Sequence, residues 1–149
     1  MDNILKLPVR RSDTYENIVQ LFCSTKSSYS EEKKIFSTVK DFMVFAALIG
    51  YELNIYTPIN NKVKTTAIIL ETYATTKHDA YIFLIALGKK SDLEILKDEN
   101  LKDAILVFEG FCNAGLEYIN KWVFDNVGKH ISEDILFNQT LEYLITKSS

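Results

Sequence analysis

The sequence predicts a mainly α protein: one domain, built as a bundle of about five to six helices, with room for a small β-hairpin around residues 51–70. Three observations lead there. Leu101, Ile105, Phe108, Cys112, Gly115, Ile119 and Trp122 recur at alternating spacings of four and three, the repeat of one helix face. Helix-start signals stand ahead of several apolar stretches, at Thr38, Thr76, Ser91 and Ser132. The composition supplies the core, with 47% apolar residues in a chain of 149. A chain of that length buries about two thirds of its unfolded surface without needing disulfides or metals.

The elements follow in order. Residues 1–11 read as an extended arm, because Pro8 biases Leu7 away from helix. Asp13 with Glu16 has capping-box character, Ser12 is an alternative cap, and Tyr15, Ile18, Val19 and Phe22 follow at helical spacing. The Ser-rich stretch 24–32 reads as a flexible loop. Thr38 caps the next helix, whose apolar face is Phe42, Phe45, Ala46 and Ile49, and Gly50 is placed to end it with a left-handed residue. Tyr51 to Tyr56 alternates like a strand before Pro58 stops it. Asn60-Asn61 is a turn, across which a two-stranded hairpin is one option. Residues 63–72 are ambiguous, since the short apolar run Ile68-Ile69-Leu70 fits either a strand or a buried helix.

From Thr76 the pattern is helical. Thr76 with Asp79 opens a segment that is apolar from Tyr81 to Leu87 and closes at Gly88. Being apolar on most sides, it is expected at the centre of the core. Ser91 with Glu94 forms a capping box over a short helix carrying Leu93 and Leu96. The seven-residue stripe then defines a long helix of about 33 Å, closed by Gly128. A helix-interior glycine costs about 1 kcal/mol relative to alanine, so Gly110 and Gly115 call for a packing reason. With Trp122 they are the candidate helix-packing or interface residues. Ser132 opens a last helix, and 146–149 is a tail.

Charge narrows the function classes. Seventeen Lys and Arg oppose twenty Asp and Glu, for a net −3. That balance disfavours a strongly basic nucleic-acid binder. Both arginines are adjacent, at Arg10 and Arg11, and the first half of the chain is slightly basic while the second is acidic. Arg10, Arg11, Lys33, Lys34 and Lys40 are therefore the candidate partner- or phosphate-binding residues. The two cysteines, Cys23 and Cys112, form no CxxC pair and suit a reducing cytoplasm. The most apolar run, 42–49, is too short to cross a bilayer.

Little points to catalysis. Gly110 to Gly115 has the spacing of a phosphate-binding loop, but Leu116 and Glu117 stand where Lys and Ser or Thr belong. His78 and His130 are the only imidazoles, too few for a zinc site without further ligands. No nucleophile is tied to His78-Asp79 by a motif. Asp103, Glu109 and Glu117 read as a solvated polar face of the long helix and a candidate partner surface, not as a paired acid/base site. No catalytic residue, cofactor or metal is expected.

Four blocks, taken together, carry a resemblance. They are Pro8-Val9-Arg10-Arg11, the Phe36–Gly50 block with Lys40-Asp41 and Phe45-Ala46-Ala47, the Asp79–Gly88 block, and Ile105–Ile119 with Gly115-Leu116-Glu117. This layout resembles the family of small Dnd-system-associated proteins (associated protein 4), found beside DNA phosphorothioation genes in prokaryotes. The resemblance implies an accessory component of a DNA-modification-linked antiphage system that acts through larger protein partners. The basic residues keep direct DNA contact as the alternative, and the residues themselves point to a cytoplasmic protein without a membrane partner. It brings no catalytic residues. A homodimer through an exposed remainder of the 101–122 stripe is a further option.

Overall fold

The computed structural model describes residues 4–24 and 35–125. Within them the order is a 3-10 turn (Ile4–Lys6), β1 (Pro8–Ser12), a 3-10 turn (Asp13–Tyr15), α1 (Glu16–Phe22), α2 (Val39–Leu53), β2 (Thr65–Ile69), α3 (Leu70–Ala74), α4 (Asp79–Lys90), 3-10 turns at Leu93–Leu96 and Asp98–Asn100, and α5 (Leu101–Asp125). The fold is mainly α, as the periodicity predicts. The loop read at 24–32 lies almost wholly outside the described residues. So do the helix read from Ser132 and the tail 146–149.

The long helix α5 is the centre of the molecule. Every residue of the predicted stripe is buried, as are Phe111, Leu116 and Ala104. The stripe is consumed inside the chain and leaves no exposed remainder for a helical dimer. Its main partner is α2, which runs antiparallel to it: Gly115 of α5 lies on the Ala46 carbonyl, and Gly50 of α2 lies on the Phe111 carbonyl. A Cβ at either glycine would overlap main-chain atoms of the other helix. This close approach is the packing reason for Gly115. Gly110 has a different one, since the Tyr56 ring occupies the space of its missing side chain.

Gly50 is thus inside α2 rather than at its end. The helix runs on through Leu53 and stops at Asn54, which takes the left-handed conformation at φ 54°. The alternation at 51–56 is therefore not a strand. Tyr51 and Tyr56 place their rings edge-on to Phe111, 5.5 and 5.0 Å away, and this packing explains their pattern. The start of α2 is as expected: the Thr38 hydroxyl accepts from the Asp41 N–H at 3.1 Å.

Helix α4 is not central. It buries Ile82, Ile85 and Ala86 only, while Tyr81 and Leu84 are exposed. It continues past Gly88 to Lys90, and Ser91 caps its end at φ 54°. Asp92, not Ser91, then caps the following turn by accepting from the Glu94 N–H. That turn is 3-10, with Ile95 buried and Leu93 out in solvent. Thr76 does not cap α4 either. His78 holds the N-cap position, and the Thr76 hydroxyl is occupied elsewhere.

The region 51–70 does contribute one strand, 65–69, but its partner is not the chain across the Asn60-Asn61 turn. β2 pairs antiparallel with β1, with Arg10 opposite Ala67. Pro8–Ser12 is therefore extended, as read, and paired rather than free. Ser12 also caps the turn that follows, accepting from the Thr14 N–H.

Candidate functional site

The Arg10-Arg11 pair sits on β1, whose alternation sends the two side chains opposite ways. Arg11 turns inward and is buried. Its guanidinium meets Glu16 at 3.2 Å, and its Nε has no partner among the described residues. Arg10 turns outward, with 43% of its side chain exposed. Lys40 is buried and donates from Nζ to the Thr76 hydroxyl. Lys33 and Lys34 lie outside the described residues. Arg11 and Lys40 therefore face the interior, and the sequence-predicted patch does not form on the surface from these members.

What the sequence reading missed is Glu109. It is not on a solvated face: its side chain is only 3% exposed, on the side of α5 that meets β1. The Arg10 main-chain N–H donates to Glu109 Oε2 at 2.6 Å. The Arg10 guanidinium lies farther off, with Nε and Nη2 each 3.5 Å from the carboxylate. Burial pushes the Glu109 carboxyl above its ordinary pKa, and the hydrogen bonds and charge of Arg10 partly oppose that rise. A signal was present: Glu109 is the one polar residue between Ala104 and Cys112. Asp103 and Glu117 are exposed, as expected.

Beside this contact the surface of α5 is concave. A recess of about 380 Å³ is lined by Leu7, Pro8, Arg10, Lys102, Ile105, Leu106 and Glu109. A second, of about 240 Å³, is lined by Tyr56, Lys90, Ile95, Asp103, Leu106 and Val107. Leu106 borders both and is 48% exposed. The face thus presents Leu106 between two hollows, with cationic groups at Arg10, Lys102 and Lys90, one exposed acid at Asp103 and the buried Glu109. Shape and apolar character of this kind suit a protein surface, since charged groups at the rim fix register while Leu106 supplies buried area.

The other sequence candidates take structural places. Gly110, Gly115 and Trp122 lie buried within α5. His78 Nδ1 is 3.2 Å from the Thr76 hydroxyl and 3.6 Å from Asp41 Oδ1, tying the α3–α4 turn to the start of α2. His130 is outside the described residues. Burial pushes the Cys23 and Cys112 thiols up to about 12, which makes both unreactive at neutral pH. Among the described residues there is no group of three or more His, Cys, Asp or Glu placed to hold a metal ion. Among them, too, no helix is long and apolar enough to cross a membrane.

The fold and this face define a mainly α protein in which a buried acid on a long central helix fastens a short two-stranded sheet. The chain belongs to the DNA sulphur modification system-associated protein 4 family, whose model matches residues 8–144. The family name associates its members with a DNA sulphur modification system, in agreement with the resemblance read from the sequence. Neither the curated proteins nor the solved structures gave a match.

Proposed function

We propose that this chain is a non-enzymatic accessory protein of a prokaryotic antiphage system linked to DNA sulphur modification. It works in the cytoplasm by binding a larger protein component of that system. The observation that carries this reading is the α5 face: exposed Leu106 between two recesses, with charged groups around them. The inward turn of Arg11 and Lys40 supports a protein partner over the alternative, a DNA-binding module built on an N-terminal basic patch.

The test is affinity purification of the tagged chain from cells carrying the neighbouring sulphur-modification genes. Retention of a product of those genes, unaffected by nuclease, is the expected result. Retention of duplex DNA alone, weakening steeply with salt and lost in Arg10→Ala, would favour the DNA-binding reading instead.

A further inference from the structure

The edge of β2 that faces away from β1 has no strand paired with it among the described residues. The pairing phase follows from two hydrogen bonds that bracket the sheet, Leu70 N–H to Leu7 O and Asp13 N–H to Lys64 O, both 2.9 Å. With the observed register, Thr66 and Ile68 turn their main-chain groups toward β1. Thr65, Ala67 and Ile69 turn theirs away. On β1 the corresponding outward N–H of Arg10 is taken by Glu109. On β2 nothing does this: among the described residues, no hydrogen bond reaches the main chain of Thr65 or Ala67, or the Ile69 N–H.

Among the described residues, proline and charge, two usual protections of a free edge, are absent from it as well. Residues 65–69, Thr-Thr-Ala-Ile-Ile, include no proline and no charge, and Thr65, Thr66, Ala67 and Ile69 are all exposed. Such an edge is a template for another strand. A sheet of two strands also gains most from added ones.

We propose that the β2 edge pairs antiparallel with the β2 edge of a second copy, forming a four-stranded sheet about a two-fold axis at Ala67. The sequence is self-complementary in that register. Ala67 meets Ala67 of the second copy and the two exchange both main-chain bonds. The Ile69 N–H of each copy donates to the Thr65 carbonyl of the other. Like charges do not meet across the axis. Instead the Lys62–Lys64 end of one copy approaches Glu71, exposed in the first turn of α3, in the other. Charge complementarity thus favours a second copy as the occupant, and the contact is isologous, so it closes at two chains.

Sedimentation of the full chain over a wide concentration range tests this. The wild type is expected at twice the 17.1 kDa chain mass. Ala67→Pro removes an N–H on which no bond to β1 depends, and Ala67→Lys sets two like charges on the axis. Both are expected to sediment as single chains with unchanged circular dichroism. Lys64→Glu should weaken the dimer, and adding Glu71→Lys should restore it. Should Ala67→Pro fail to fold, Ala67→Lys and the charge swap carry the test. A wild type that stays a single chain up to about 100 μM, including one that binds a different protein at this edge, overturns the proposal. So does a dimer that survives both Ala67 variants.

Discussion

The main-chain N–H of Arg10 is bound by the carboxylate of Glu109, 99 residues later in the chain, at 2.6 Å. One buried acid thereby takes the Arg10 N–H on the edge of β1 away from β2 and fastens the N-terminal strand to the central helix. Removing it leaves a strand N–H without a partner in a place water reaches poorly. Glu109→Ala is expected to lose about 1–3 kcal/mol in chemical denaturation. Glu109→Gln keeps an acceptor oxygen for the same N–H and should lose much less.

The pH dependence of that pair of variants has a definite sign. The folded-state pKa of Glu109 lies above its ordinary value, chiefly through burial. The folded chain therefore binds this proton more readily than the unfolded chain. The stability contributed by protonation is fully present below the unfolded pKa and is lost as pH rises through the folded one. Measured against Glu109→Gln, which does not titrate, the wild type should gain relative stability on acidification through that window. Denaturation series of both proteins between pH 7 and pH 4 check this. A difference that stays flat overturns the raised pKa, and one that moves the other way means that the contacts with Arg10 outweigh burial.

Gly50 and Gly115 should be the least replaceable glycines. Each is set against a main-chain carbonyl of the opposite helix, so an added methyl must move a backbone. Alanine gains about 1 kcal/mol in helix propensity at either site. The overlap is expected to outweigh this, with a net loss of about 2 kcal/mol or more. Thermal unfolding of Gly50→Ala and Gly115→Ala reads the loss directly. Gly88→Ala should be milder, because it meets the end of the partly exposed Tyr51 side chain rather than a backbone.

Capping separates what is legible in the sequence from what is not. Thr38 is recognisable as a cap because the apolar period begins just after it and the structure agrees. Ser91 looks equally good, yet it sits in a left-handed conformation at the end of α4, and Asp92 does the capping. Replacing Thr38 with Ala should cost about 1 kcal/mol. Ser91→Gly, by contrast, should stabilise the chain by a few tenths to about 1 kcal/mol, since glycine adopts that conformation without penalty. A loss of stability in Ser91→Gly would restore it as a capping residue.

The same division runs through the rest of the molecule. The long helix was legible because six apolar residues and Gly115 repeat over six steps of about one turn each, and burial of the stripe follows from that repeat alone. The pairing of β1 with β2 was not, because the two strands are more than fifty residues apart and no local turn joins them. The peripheral position of α4 was hidden for another reason. Its apolar run fits a central helix, but α2 and α5 approach each other too closely at their glycines to admit a third helix between them. Of the candidate site, Arg10 was found and Glu109 was not. Charge type marked the first, whereas the second is defined by a contact across the fold.

The buried thiols offer a check on packing. Cys23 and Cys112 are almost fully covered, and burial raises both thiols to about 12. Neither is expected to react with an aromatic disulfide reagent at neutral pH in the native protein. Both should react once the chain is unfolded.

The most direct measurement of the central claim is a paired purification of the wild type and Leu106→Asp from cells carrying the sulphur-modification genes. Leu106 is half exposed and borders both recesses, so an aspartate there is expected to leave thermal unfolding nearly unchanged. If the α5 face is the docking surface, the wild type retains a product of those genes and Leu106→Asp, equally folded, loses it. Equal retention by the two proteins, or retention of no such product by the wild type, would contradict the account.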